Sequence, residues 1–438
     1  MVELDELYSY YRKYPQICTD SRQVTKGCLF FALKGERFDG NQFAKQVVDD
    51  GAAFCVVDDP ELEGKPGMLL VKNTLKSLQD LATLHRRTFQ IPIIAIGGSN
   101  GKTTTKELVS AVLSSQYPCH YTKGNLNNHI GVPLTLLSMP DKTEVAVIEM
   151  GANHIGEIDE LCKIAEPTHG LLTNIGKEHL EGFGSIEGVK KAEGELYRYL
   201  NRTGGCVFVN KTEKYLSSMS RGNRRKVIYE ATDNIHESVD NLINIRPKHY
   251  TPFVEVSFLD ESQVEWSVKS HLYGQHNFHN IASAIALGVY FKVPGNKIKE
   301  AIEKYIPSNN RSQVISRGDS TILLDAYNAN PSSMEVALKS LVEMKSTKRI
   351  AILGDMLELG EHSIQEHRAI IRKAQKMPVD LIVLVGPIFG SIRIKDSRII
   401  YFETAKEAKT WFSDYDMNNS VLLIKGSRGI QLETILEK

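Results

Sequence analysis

Short, continuous apolar runs bounded by glycine and polar turns alternate along this chain with longer stretches whose apolar residues return every three or four positions. CLFFALKG and AAFCVVDD read as strands, with FAKQVVDDG as a helix between them that stops at Gly51. LKSLQDLATLHRRTF reads as an amphipathic helix, closed by the Ile91-Pro92 break. Strand IPIIAI, a glycine-rich turn and helix KTTTKELVSAVLSSQ then open an α/β unit, and strands EVAVIEM, GLLTNI and GCVFVN follow with helical segments between them. This alternation predicts a mostly parallel sheet covered by helices on both faces. From about Lys211 to Ser270 the pattern weakens, and FVEVSFL and VEWSVKS predict an antiparallel extension of the central sheet. HNFHNIASAIALGVYF is a strongly apolar helix, and the turn-rich PSNNRSQ marks a boundary. Beyond it TILLDAY, RIAILGD, LIVLVG and SVLLIKG are four buried-type strands separated by helices, a second doubly wound unit. The fold class expected is α/β in three domains: a small mixed α/β domain over 1–85, a parallel-sheet domain over 86–306, and a Rossmann-like domain over 307–438.

Composition narrows the class. The 438 residues are 42% hydrophobic and 24% charged, enough for several cores and far from a disordered or collagen-like chain. Lys+Arg and Asp+Glu both number 53, so no net basic field favours nucleic acid or an anionic membrane. No apolar run approaches the roughly 20 residues needed to span a bilayer, and the acidic opening MVELDELYSY has no signal-peptide pattern. The six cysteines are scattered without a CxxC pair, which argues against structural zinc and a disulfide framework. A soluble, cytoplasmic chain, monomeric and without nucleic-acid partners, is the expectation.

The chemistry concentrates at Gly97-Gly98-Ser99-Asn100-Gly101-Lys102-Thr103, between an apolar strand and a helix. Glycines there let the backbone wrap phosphate oxygens, the helix N-terminus offers unpaired N–H groups, Lys102 supplies a cation and Thr103 a hydroxyl for Mg²⁺. Ile96 stands where the strict phosphate-loop pattern has its first glycine. The bland alternative, a glycine-rich turn with a chance Lys-Thr after it, fits the strand–turn–helix context less well. Mg²⁺ takes hard oxygen ligands, and Glu149 ends strand EVAVIEM on the side of the sheet that faces the same crevice. His179 follows strand GLLTNI at another such end; on its own a histidine there is as readily a structural hydrogen-bonder as a ligand.

Taken together these strings resemble the Mur ligase family over nearly the whole chain. TDSRxVxxGxLFFALKGxxxDG (Thr19 to Gly40) is similar to that family's UDP-binding segment, and GGSNGKTTTKE (Gly97 to Glu107) to its ATP loop. TKGNLNNHIGVP, EMGANHIGEI, TNIGKEHLEGFGS, GQHNFHN, DAYNANPSSM, LGDMLELG and KGSR follow in family order. YNANP and GDMLELG favour the branch that adds D-alanyl-D-alanine. The resemblance implies an ATP- and Mg²⁺-dependent ligase acting on a UDP-N-acetylmuramoyl-tripeptide and D-alanyl-D-alanine through an acyl phosphate and a tetrahedral intermediate. It implies Gly98, Ser99, Asn100, Gly101, Lys102, Thr103 and Thr104 at the nucleotide, with Asn280 at adenine, Asp325 at ribose and Arg311 at the phosphates. It makes Thr103, Glu149 and His179 the metal ligands, with Lys102, Glu149 and His179 catalytic. It sets Asn125, Asn127, Asn328 and Asn330 toward substrate, and Asp20, Ser21 and Arg22 at the UDP moiety; a self-capped turn is the plainer reading of those last three.

One departure stands out. In helix SIEGVKKAEGELYRYL the family usually carries a carbamylated lysine before Gly-Glu, and that position is Glu193. The expectation is that the Glu193 carboxylate replaces the carbamate as a catalytic anion, against the alternative of a solvated helix charge. Lys191 points about 200° away, while Lys190 shares the face. Two rival functions are a folylpolyglutamate synthase-like amide ligase, disfavoured by the first eighty residues, and a non-catalytic nucleotide-binding scaffold, supported only by the missing lysine.

Overall fold

The structure, a computed structural model, describes residues 1–36, 38–231 and 242–437. Three larger sheets organise it. Strands Ile17–Cys18, Leu29–Phe31, Phe54–Val57 and Met68–Leu70 lie in that order and are all parallel. The central sheet has nine strands, running Glu265–Lys269, Glu255–Leu259, Leu242–His249, Arg225–Ala231, Cys206–Asn210, His169–Leu172, Ile93–Gly97, Val145–Glu149 and Cys119–Tyr121 from edge to edge. The third has six, with Gln313–Arg317 as an antiparallel edge beside Ser320–Asp325, Ser420–Lys425, Lys348–Gly354, Leu381–Val385 and Ile399–Phe402, which are parallel.

The weakly patterned stretch after Lys211 differs from expectation. Its last two strands are antiparallel, as read, but Arg225–Ala231 and Leu242–His249 precede them and continue the parallel ladder. The first four residues of Arg225–Ala231 are not buried and Leu242–His249 buries only Ile245, so neither carries the apolar run that marks a covered strand. The C-terminal sheet likewise has two strands beyond the four expected: Gln313–Arg317 and Ile399–Phe402, neither with a fully buried residue.

Helices Lys102–Ser114 and Gln275–Tyr290 cover one face of the central sheet through Leu108, Val109, Val112, Ile281 and Ile285. Helices Thr74–Arg87, Gly131–Leu137, Glu157–Ala165 and Ile186–Thr203 cover the other. Helix Thr74–Arg87 is capped by Asn73, whose side chain accepts from the Lys76 N–H at 2.7 Å. Its Leu78, Leu81 and Ala82 are fully buried in one core with Leu29, Phe31 and Val56 of the first sheet and Val132 and Leu136 of the central unit. At about 1.5–3 kcal/mol per buried leucine, that shared core fixes the N-terminal sheet on the central one. Buried Arg86 reinforces it by donating to the Ala165 and Glu166 carbonyls, and the Tyr11 hydroxyl donates to the Leu137 carbonyl at 2.6 Å. Among the described residues no helix is long and apolar enough to cross a membrane.

Candidate functional site

The carboxyl ends of strands Ile93–Gly97, Val145–Glu149, His169–Leu172 and Cys206–Asn210 open into one cleft of about 750 Å³, where an open α/β sheet binds its ligands. Helix Gln275–Tyr290 and the C-terminal unit close its sides. The loop after Gly97 turns with Gly98 at φ 110° and Gly101 at φ 80°, conformations that exclude ordinary side chains. A Cβ on Gly101 would stand 2.5 Å from the Asn280 Oδ1, so glycine is also what brings the loop against that helix.

Lys102 begins the helix after the loop and folds back, donating to the Gly98 carbonyl at 2.5 Å and to Glu178 Oε2 at 3.4 Å. Behind the loop, Glu193 Oε2 accepts the Gly98 N–H at 2.7 Å. Glu193 is 1% exposed, its Oε1 has no partner, and it does not line the cleft. The structure therefore overturns the reading of Glu193 as a solvated charge, and it sets the carboxylate under the loop, outside the cleft lining. Gly98, expected to offer its N–H to phosphate, has that N–H engaged by Glu193. Burial works against the charge of Lys102, yet Glu178, Glu193 and Glu149 outweigh it and hold the ammonium above its ordinary value. Burial raises Glu193 to about 7, and Glu178 adds to this, while Lys102 and the Gly98 N–H oppose it. Lys190 pairs with Glu187 at 2.6 Å and lies over the Tyr215 ring, remote from this cluster.

On the other flank the Thr103 hydroxyl donates to Glu149 Oε1 at 3.1 Å, and Asn127 Nδ2 donates to the same oxygen at 2.8 Å. Glu149 Oε2 is buried without a partner. A hydroxyl and an orphaned carboxylate oxygen beside a phosphate loop form the hard-oxygen set that suits Mg²⁺. His179, at φ 41°, is held differently: its Nδ1 is 2.7 Å from Glu358 Oε2, and its Nε2 is 4.0 Å from Glu178. Among the described residues no three His, Cys, Asp or Glu side chains gather into a metal cage of their own, so an ion there would need further ligands from phosphate and water.

Toward the far end, Asn280 Oδ1 accepts from the Thr105 hydroxyl at 3.1 Å, and its Nδ2 donates to Asn277 Oδ1 at 2.9 Å. Asp325, at the end of strand Ser320–Asp325, pairs with Lys425 at 2.5 Å. Burial pushes the Asp325 carboxyl up, but Lys425 outweighs it and holds it below its usual range. Arg311 stacks 3.6 Å from the Tyr327 ring centroid. The C-terminal unit reaches the loop directly: Asn330 Nδ2 donates to Asn100 Oδ1 at 2.9 Å, and the Lys177 N–H donates to the Ser332 hydroxyl at 2.9 Å.

Ser99, Asn100, Gly101, Lys102, Thr103, Thr104, Asn125, Asn127, Glu149, His179, Asn280, Arg311, Asp325, Asn328 and Asn330 all line this one cleft. Asp20, Ser21 and Arg22 do not. Asp20 accepts from the Arg22 backbone N–H at 3.0 Å and guanidinium at 2.8 Å, closing a short capped turn. Sequence reading passed over Glu178, Glu358, Lys425, Asn174 and Glu213. Glu178 lies next to His179, and Glu358 and Lys425 lie inside GDMLELG and KGSR, but nothing in those strings says which side chains converge. Asn174 grips the loop by accepting the Asn100 N–H and donating to the Asn100 carbonyl.

Three family models match the chain: Mur ligase family, catalytic domain, over residues 13–86; Mur ligase middle domain over 96–288; and Mur ligase, glutamate ligase domain, over 310–428. The UDP-N-acetylmuramoyl-tripeptide–D-alanyl-D-alanine ligase of Escherichia coli (strain K12) is 35% identical over 424 residues, covering 96% of this chain and 92% of that one. The enzyme of the same name from Bacillus subtilis (strain 168) is 32% identical over 431 residues, with the same coverage. Among solved structures, the MurF ligase from Thermotoga maritima in complex with ADP superposes with a TM-score of 0.83 at 25% identity, covering 100% of this chain and 98% of that one.

Proposed function

The chain belongs to the Mur ligase family, and on that premise we propose that it joins D-alanyl-D-alanine to the terminal carboxylate of a UDP-N-acetylmuramoyl-tripeptide at the expense of ATP, a step of peptidoglycan precursor synthesis. The observation that carries this reading is the single cleft shared by the phosphate loop, Glu149 and the YNANP segment, bridged by the Asn330–Asn100 hydrogen bond. A carboxylate is a poor electrophile; transfer of the ATP γ-phosphoryl group gives it a phosphate leaving group. The amine of D-alanyl-D-alanine then attacks the acyl carbon, and the tetrahedral intermediate expels phosphate. Lys102 supports this by offering a cation where two anions must meet. The first-turn N–H groups of helix Lys102–Ser114 cradle phosphate oxygens, since those of Gly98, Ser99 and Asn100 are bonded within the protein. Asn330 and Ser332 seal the C-terminal unit over the loop, keeping water from the acyl phosphate.

Thr103 and Glu149, with His179 on the cleft wall, are the residues that would hold Mg²⁺, which when bound neutralises phosphate charge during transfer. Asn125 and Asn127 face the muropeptide in this reading. The first sheet, docked rigidly through Tyr11 and Arg86, holds the UDP end, with Asp20, Ser21 and Arg22 contributing a preformed turn. The domains are taken as 1–85, 86–306 and 307–438, working in the cytoplasm as a monomer. The test is phosphate release with purified protein. Release requires ATP, the UDP-tripeptide and D-alanyl-D-alanine together, and mass spectrometry finds the pentapeptide product. Equal release with single D-alanine, or release without the UDP-tripeptide, refutes the reading.

A further inference from the structure

Toward the far end of the cleft the Glu213 carboxylate stands without a donor. Strand Cys206–Asn210 ends at Asn210, whose Oδ1 accepts from the Thr212 N–H at 3.1 Å and the Thr212 hydroxyl at 2.7 Å. Its carbonyl accepts the Glu213 N–H at 3.2 Å. The same Asn210 lies with its Nδ2 3.3 Å from His279 Nδ1, which ties this turn to the first turns of helix Gln275–Tyr290. Glu213 is thereby held on the cleft wall beside Gln275, Asn277, His279 and Asn280.

The neighbouring amides are already spoken for. Asn280 is engaged by Thr105 and Asn277, and Asn277 Nδ2 donates to the Tyr273 carbonyl at 2.9 Å. Burial holds His279 at about 4, so it is neutral and supplies no counter-charge. Among the described residues the Glu213 carboxylate makes no hydrogen bond or ion pair, and burial alone raises its value to about 7. A half-buried carboxylate with nothing donating to it, facing a ligand cleft, costs free energy that an occupant carrying N–H groups recovers.

With triphosphate on the loop at Gly101–Thr103, the base reaches this end, because helix Gln275–Tyr290 abuts the loop at Gly101. We propose that Glu213 accepts a hydrogen bond from the exocyclic 6-amino group of adenine and is the residue that selects ATP over purine nucleotides lacking that amine. This rests on the ligase reading above and adds a base-reading residue to it. A purine with oxygen at position 6 would present an acceptor to the carboxylate, and the two would repel.

The experiment compares ATP with purine riboside triphosphate, which lacks only the 6-amino group, in wild type, E213A, E213Q and Q275A. Gln275 is the control because it sits exposed on the same rim. A charge-assisted hydrogen bond predicts that wild type prefers ATP by about tenfold or more, mainly in KM. E213A should bring the preference to about twofold while leaving the parameters for purine riboside triphosphate unchanged, and E213Q, whose amide oxygen still accepts, should retain part of it. An unchanged preference in E213A, an equal loss for both nucleotides, or loss of the preference in Q275A instead overturns the proposal. Displacement of a fluorescent methylanthraniloyl-ADP gives the same comparison as binding alone. The base reading can thus fail or stand independently of whether D-alanyl-D-alanine is the acceptor.

Discussion

Replacing Glu193 with Gln separates the cost of a buried charge from its use. In the folded chain burial raises the Glu193 carboxyl from an ordinary 4.5 to about 7, with Lys102 and the Gly98 N–H only partly opposing. A carboxyl whose folded value lies above its unfolded one holds its proton more tightly in the native state. The stability it contributes is therefore fully present below about 4.5 and lost as pH rises through about 7. At about 1.4 kcal/mol per pH unit, that interval amounts to roughly 3 kcal/mol. Glutamine does not titrate, and its amide oxygen can still accept the Gly98 N–H. E193Q should match wild type near pH 4.5 and exceed it by up to roughly 3 kcal/mol above pH 8.

Urea unfolding at pH 5, 7 and 9, followed by fluorescence of Trp266 in the central sheet and Trp411 in the C-terminal unit, reads the difference directly. Turnover should move the other way. The carboxylate lies behind the loop that carries Lys102, and removing one preorganised charge there should lower kcat by about 10- to 100-fold, with a smaller change in the KM for ATP. A stability difference constant across pH would refute the charge argument. A fully active E193Q would refute any role for the anion in setting the loop.

The Lys102→Ala change should cut turnover by on the order of 10³-fold. It should also destabilise the fold at neutral pH, because Glu149, Glu178 and Glu193 lose their shared cation; thermal melts should recover toward wild type as the pH falls through about 7 and Glu193 takes up its proton. Glu195→Ala removes the acceptor of the Gly156 and Asp159 N–H groups at 2.8 and 3.0 Å, which cap helix Glu157–Ala165, and should cost about 2 kcal/mol in urea unfolding with kcat nearly unchanged.

The parts of this molecule that could be read from sequence are those in which a local pattern states its own burial. Strands Ile93–Gly97 and Leu381–Val385 are covered almost throughout, so their residues are apolar and the strands are plain. Arg225–Ala231 and Leu242–His249 escaped because only parts of them are covered, and a half-solvated parallel strand reads like a loop. The phosphate loop was legible for a related reason: its glycines and Lys-Thr must be contiguous to wrap one ligand. Asp20 and Arg22 were legible as a motif, yet they satisfy each other across two residues and line no part of the cleft.

Glu193 and Glu195 show where such reading stops. They stand two residues apart on helix Ile186–Thr203, about 200° around its axis, and both are buried. In a sequence they are two glutamates beside a glycine. In the structure Glu195 turns to the N-terminus of helix Glu157–Ala165, where two N–H groups satisfy both its oxygens. Glu193 turns to the loop, where one N–H satisfies one oxygen and the other is left bare. The first is a solved capping problem and implies nothing about chemistry. The second leaves a buried charge incompletely compensated, a cost that selection for stability alone would remove, beside the lysine proposed to meet the phosphates. What distinguishes them is a neighbour some 95 residues away in the chain for Glu193 and about 39 for Glu195, and no periodicity or spacing carries that information.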